Sequence, residues 1–193
     1  MSKSATKETL VLMIKLCLIC VIVAGLLALV NSVTAPRIAE NDEKVFVKSM
    51  TEVLPNGGNF ERVENFSFTT DLTGVVLDSF YKADNGYVVT TICSEGYGGD
   101  IKVMVGINED FTVNYVKIMS MSETAGLGAK ASDKAFTDRY IGLKSGISVE
   151  KNNGGSAEDN SISAISGATV TSKAVTKAVN LALAVAEGDG ANE

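Results

Sequence analysis

The spacing of apolar and polar positions divides the chain into stretches of different period. From Leu10 to Val30 it runs for 21 residues with a single charge, Lys15. As a helix, such a run spans roughly 30 Å, enough for a bilayer core. Lys15 sits near its start, where a long side chain can carry its ammonium back to the interface. Lys3 and Lys7 give the run a basic start, as in a secretory signal, but signal h-regions are about 7–15 residues long and Pro36 follows the small residues Val33 and Ala35, a poor context for cleavage. The reading is a retained transmembrane helix over 10–33 behind a short N-terminus, 1–9. The basic flank places that N-terminus in the cytoplasm and everything after the anchor outside it. NSVTAP then reads as a short break. Pro36 opens a juxtamembrane helix in which Ile38, Val45, Met50 and Val53 share a stripe, ending before Pro55; residues 34–58 form this helix and linker.

Beyond an irregular stretch at 60–74 the period becomes two. VVLDSFYK and YVVTTICS flank ADNG, which predicts a hairpin bending at Asn85-Gly86. After the glycine-rich connection GYGGD, Ile101, Val103, Val105 and Ile107 alternate to one side. NED is a further turn, and FTVNYVKIM the fourth strand. A sheet with one apolar face needs a cover. Helical patterns at 132–140 and 171–187 can supply it, with a polar connection, 151–161, between them. The predicted fold class is α+β: one N-terminal transmembrane helix followed by a twisted antiparallel sheet with packed helices. The domain spans 59–188, with a flexible tail at 189–193.

Charge and composition narrow the chemistry. Removing Lys3, Lys7, Lys15 and Glu8 from 17 basic and 23 acidic residues leaves 14 and 22, a net charge of −8 outside the membrane. A field of that sign argues against nucleic acid and against anionic headgroups as partners. The sequence contains no histidine, which removes Ser-His-Asp and Cys-His catalysis and most zinc and haem ligation. Any chemistry must use carboxylates, lysines, hydroxyls or a bound cofactor. Cys17 and Cys20 form a Cys-x-x-Cys within the apolar run, where they read as small apolar or helix-contact residues. Cys93 has no partner in the exported part, which fits a reducing or anaerobic setting.

Two loops could hold a ligand. SETAGLGAK, 122–130, leaves the fourth strand with Gly126 and Gly128 for close backbone approach, Glu123 as an acceptor and Thr124 as a hydroxyl. ISGATVTS, 165–172, opens the last helix. Gly167 permits a tight turn, Ala168 keeps bulk away, and Ser166, Thr169 and Thr171 cluster hydroxyls where a single N-cap would suffice. A helix start presents unpaired N–H groups and the positive end of the macrodipole, a suitable place for a phosphate. A plain N-cap and an attachment point are both open on these residues alone.

Together the two loops resemble a known family. Ser166-Gly167-Ala168-Thr169 looks like the flavinylation motif of the FMN-binding domain of Rnf-type and sodium-pumping quinone reductase complexes. Glu123-Thr124-Ala125-Gly126-Leu127-Gly128 is similar to the same family's Glu-Thr-Pro-Gly-Leu-Gly signature. Both motifs stand in order, about forty residues apart, behind one anchor, and the arrangement most resembles the G-type component of the Rnf-type complex. Two positions depart from the pattern: Ala125 stands where proline is usual, and Ser163 where an aspartate commonly precedes the motif.

The resemblance implies a membrane-anchored electron-transport flavoprotein. Thr169 would carry covalent FMN, placed there from FAD by a separate flavin transferase. Ser166, Gly167, Ala168 and Thr171 would hold the phosphate and the turn. Glu123, Thr124, Gly126, Leu127 and Gly128 would line the ring or its chain. No side chain acts as a catalytic nucleophile and no metal is implied. The partners would be the other subunits of a membrane complex that moves electrons between ferredoxin and NAD and translocates Na+ or H+. A flavin-free adaptor protein and a stand-alone extracellular flavin reductase are the competing readings.

Overall fold

The computed structural model describes residues 3–64, 72–151 and 154–190. Of the expected tail, 189–193, residues 191–193 lie outside these, whereas 189 and 190 continue the last helix; of the irregular stretch, residues 65–71 lie outside as well. The chain divides into two units, Met1–Phe46 and Val47–Glu193.

The first unit is helical throughout its described residues, as part of α1 (Lys3–Val53). Between Leu10 and Val33 the large apolar side chains are 49% to 71% exposed. In water that surface would be unfavourable by about 25 cal/mol per Å²; hydrocarbon removes the penalty, and the helix is long and apolar enough to cross a membrane. Cys17 and Cys20 are exposed on it. The break expected at NSVTAP does not occur: α1 runs through Pro36 without interruption. A proline inside a helix removes one backbone hydrogen bond and crowds the carbonyl four residues earlier. The flanking turns keep their own bonds, and Ser32 turns its hydroxyl back onto the Leu29 carbonyl at 2.8 Å.

In the second unit, β1 (Phe60–Arg62), β2 (Val75–Ala83), β3 (Gly86–Cys93), β4 (Ile101–Asn108) and β5 (Val113–Ser120) form one antiparallel sheet in chain order. The expected hairpin is present, but the residues at its bend are Asp84 and Asn85, because Gly86 already pairs with Ala83 as the first residue of β3. β1 falls within the stretch that reads as irregular; three residues are too few to show a period. The fourth strand starts later than expected. Phe111 takes a positive φ of 59° and its N–H closes a turn onto Asn108, while its ring stacks on Tyr87 at 6.0 Å.

The predicted apolar face, Ile101, Val103, Val105 and Ile107, is wholly buried. It is covered by α3 (Thr169–Gly190), whose Ala174, Val175, Ala178, Val179, Ala182 and Ala186 turn towards the sheet. Alanines every fourth residue let the helix lie close. Thr91 on β3 reaches across to donate to the Ala178 carbonyl at 3.1 Å. The pattern around 132–140 becomes not one helix but short helical turns: Gly128–Ser132, α2 (Lys134–Thr137) and Asp138–Tyr140. They bury Phe136 and Tyr140, and the Tyr140 hydroxyl bonds Thr176 of α3 at 2.8 Å. Burial pushes the Tyr140 phenol well above its ordinary value. Around the polar connection, β6 (Ser148–Glu150) and β7 (Ser161–Ser163) pair in parallel, which its composition does not announce.

The sheet's other face is covered as well. Met50, Val53 and Leu54, at and just beyond the end of α1, are buried in this unit with Val88 and Met104. Asn114 donates its amide to the Val53 carbonyl at 2.8 Å, capping the end of the helix. Lys117 pairs with Glu52, and this hydrogen bond holds the Glu52 carboxyl below its ordinary 4.5, with the charges of Lys117 and Lys48 assisting. A carboxyl depressed in the folded state stabilises above its unfolded pKa and loses that contribution as pH falls through the folded value. Both side chains are partly exposed, so the pair is worth about 0.2–1 kcal/mol. Acid unfolding of Glu52→Gln beside the parent is therefore expected to show a small loss of stability at neutral pH that closes below about pH 4.

Candidate functional site

Three loops meet at one end of the sheet. Residues 94–100 join β3 to β4, residues 121–127 leave β5, and residues 164–168 precede α3. They enclose a cleft of about 510 Å³ lined by Tyr97, Glu123, Thr124, Leu127, Gly128, Gly167, Ala168, Thr169, Val170 and Thr171. That size suits a small-molecule cofactor.

Glu123 holds the loops together. One carboxylate oxygen accepts the Gly98 N–H at 3.1 Å and the other accepts the Thr171 hydroxyl at 2.8 Å. The glycine beside it is required by space: a Cβ at Gly128 would stand 2.5 Å from Glu123 Oε2 and 2.7 Å from Thr171 Oγ1. The expected role of Glu123 and Thr171 as direct ligands is thereby joined by a structural one, since each occupies the other. Replacing Glu123 with Gln leaves one acceptor where two donors converge, and thermal unfolding is expected to register a loss of about 1 kcal/mol.

Local bonds fix the opening of α3. Gly167 adopts φ +77°, the left-handed conformation that glycine tolerates, and Ala168 N–H closes the turn onto Ile165 O at 2.9 Å. Ser172 accepts the Ile165 N–H and donates to the Ala168 carbonyl, both at 2.9 Å. The first intrahelical backbone bond runs from Ser172 N–H to Ala168 O at 3.0 Å. The N–H groups of Thr169, Val170 and Thr171 precede it, at the positive end of the helix dipole. Thr171 and Ser172 are buried with their hydroxyls engaged, whereas Thr169 is half-buried, lines the cleft, and has no hydrogen-bond partner for its hydroxyl among the described residues.

Of the residues singled out in the sequence, Glu123, Thr124, Leu127, Gly128, Gly167, Ala168, Thr169 and Thr171 line the cleft together. Ser166 and Gly126 are exposed in the same loops but do not line it. Tyr97 and Val170 line it without having been singled out by sequence. GYGGD reads as a plain connection, although an aromatic set among glycines is the signal that could have found Tyr97. Ser163 lies at the end of β7, where its hydroxyl accepts the Gly155 N–H at 3.1 Å and its carbonyl accepts from Arg139. Cys93, at the end of β3, is buried, and burial pushes its thiol upward from its ordinary value.

Residues 96–184, which carry the cleft, match the FMN-binding domain family, and residues 1–53 match the N-terminal region of RnfG. The chain is 34% identical over 176 residues to the G-type component of the Na(+)-translocating ferredoxin:NAD(+) oxidoreductase complex of Acetobacterium woodii, covering 85% of this chain and 84% of that one. It is 31% identical over 186 residues to the G-type component of the ion-translocating oxidoreductase complex of Methanosarcina acetivorans, covering 93% and 95%. It therefore belongs to the RnfG family, the G-type components of Rnf-type ion-translocating oxidoreductase complexes. Among solved structures it is similar to the C-type component of the Na(+)-translocating NADH-quinone reductase of Parabacteroides distasonis, with 24% identity, a TM-score of 0.47, and 67% and 71% of the two chains covered.

Proposed function

We propose that this chain is the membrane-anchored flavoprotein of an Rnf-type redox complex, with FMN joined to Thr169 through a phosphoester. The observation that carries the reading is the division of labour among the hydroxyls at the start of α3. Thr171 is bound to Glu123 and Ser172 to the 165–168 turn, while Thr169 faces the cleft with its hydroxyl free among the described residues.

The residues present fit the cofactor. The N–H groups that open α3 suit its phosphate, and Leu127, Val170 and Tyr97 offer apolar surface for a planar ring. In the maturation step, the Thr169 oxygen forms a bond to the phosphorus of the FMN half of FAD. The pyrophosphate bond breaks, AMP leaves, and the hydroxyl proton is released; a separate flavin transferase supplies the catalysis. FMN, when bound, accepts and passes on electrons one or two at a time. The protein contributes position: Glu123 fixes the loops, Gly128 admits them, and the α3 start holds the phosphate.

Residues 10–33 would anchor the domain in the cell membrane in a single pass, with the N-terminus cytoplasmic and the domain extracytoplasmic. Anchoring holds the cofactor close to the neighbouring subunits at high effective concentration. The complex would transfer electrons between ferredoxin and NAD and couple them to Na+ or H+ translocation. Co-expression with a flavin transferase, full denaturation and gel electrophoresis under ultraviolet light test the reading. Fluorescence that stays with the denatured chain is expected. Fluorescence that leaves it excludes the covalent bond, and its complete absence favours a flavin-free adaptor.

A further inference from the structure

Tyr97 stands outside the buried core. Its side chain is 75% exposed, yet it lines the cleft together with Thr169 and Val170. An aromatic ring left in water at the mouth of an apolar cleft is surface that gains by meeting another planar group. Its position is nevertheless set. Gly98, one residue on, is tied through its N–H to Glu123 at 3.1 Å, and Glu123 is tied in turn to Thr171 at 2.8 Å. The glycines on both sides of Tyr97 have no room to change: a Cβ at Gly96 would meet Gly99 O at 2.2 Å, and one at Gly98 would meet Ser122 O at 2.0 Å. The backbone on either side of the ring thus leaves no room for a side chain, while the ring itself stands in solvent.

We propose that Tyr97 is the aromatic cap of the cofactor, stacking on the exposed face of the flavin ring and shielding it from solvent. The inference rests on the reading that FMN is attached in this cleft. With the chromophore tethered at Thr169, loss of the cap leaves it on the protein but opens it to water. A stacking contact of ordinary strength changes the ratio of covered to open ring by roughly threefold to tenfold.

The test uses the full-length holoprotein in detergent, with flavin content fixed by absorbance. Tyr97→Ala is expected to keep its covalent flavin, to raise flavin emission severalfold because a stacked phenol no longer quenches it, and to increase quenching by iodide. Tyr97→Phe is expected to keep protection from iodide, since the ring remains, while its emission rises because a phenyl group is a poorer electron donor than a phenol. Unchanged emission and iodide access in Tyr97→Ala overturn the inference, as does a Tyr97→Phe variant as open to iodide as Tyr97→Ala. Parent protein without covalent flavin overturns the underlying reading instead, so the two failures are distinguishable.

Discussion

Thr169→Ala is expected to leave the chain without flavin while the domain still folds. The Thr169 hydroxyl makes no hydrogen bond among the described residues and its side chain is only half-buried, so its removal should shift stability by no more than about 0.5 kcal/mol. Its consequence for attachment is total, because no phosphoester forms without the oxygen. Thr171→Ala is the informative partner. Thr171 is buried and donates to Glu123, so truncation leaves a carboxylate oxygen without its donor and is expected to cost about 1–2 kcal/mol. Flavin should nevertheless remain on the chain. In-gel fluorescence beside circular dichroism separates the effects. Flavin lost from Thr171→Ala and kept by Thr169→Ala would show that the attachment residue is misassigned.

The largest structural effect is expected at Gly106. A Cβ there would stand 2.1 Å from the Val53 carbonyl oxygen and 2.5 Å from its carbon, both backbone atoms. No side-chain rotation relieves such a contact. Gly106→Ala must lift residues 50–54 off the sheet, which opens the buried surface of Met50, Val53, Leu54, Val88 and Met104 and breaks the Asn114 cap. The expected loss is about 3 kcal/mol, the upper range for overpacking. Denaturant unfolding of the detergent-solubilised chain measures it. A loss below about 0.5 kcal/mol would mean that the close approach is not needed for stability.

Gly106 also marks where the fold is hard to read from the sequence. The face towards α3 is legible because β4 alternates Ile101, Val103, Val105 and Ile107 over a full strand. The opposite face of the same strand presents Lys102, Met104 and Gly106, which reads as solvent-facing. What covers it is the end of a helix far away in the chain, and periodicity carries no information about such a contact. The continuity of α1 through Pro36 is hidden for a related reason: proline is a local signal, and neighbouring turns can override it. β1, β6 and β7 are each three residues long, too short for alternation to show.

The cleft is more legible than the fold around it. Glycines and hydroxyls concentrate where a backbone must approach a ligand, and both loops carry that composition. Their convergence is not readable, since it depends on Glu123 reaching both Gly98 and Thr171. Residue type and spacing alone do not separate Thr169 from Thr171. The motif resemblance assigns them different roles, and the hydrogen bond to Glu123 distinguishes the engaged hydroxyl from the free one.

The central claim is a covalent bond between FMN and Thr169. Intact mass of the purified full-length chain, co-expressed with a flavin transferase, tests it most directly. The account predicts an increment equal to FMN less one water, on a chain that retains residues 1–33, and no increment in Thr169→Ala. The mass of the bare chain from the parent protein, or the same increment in Thr169→Ala, would contradict it.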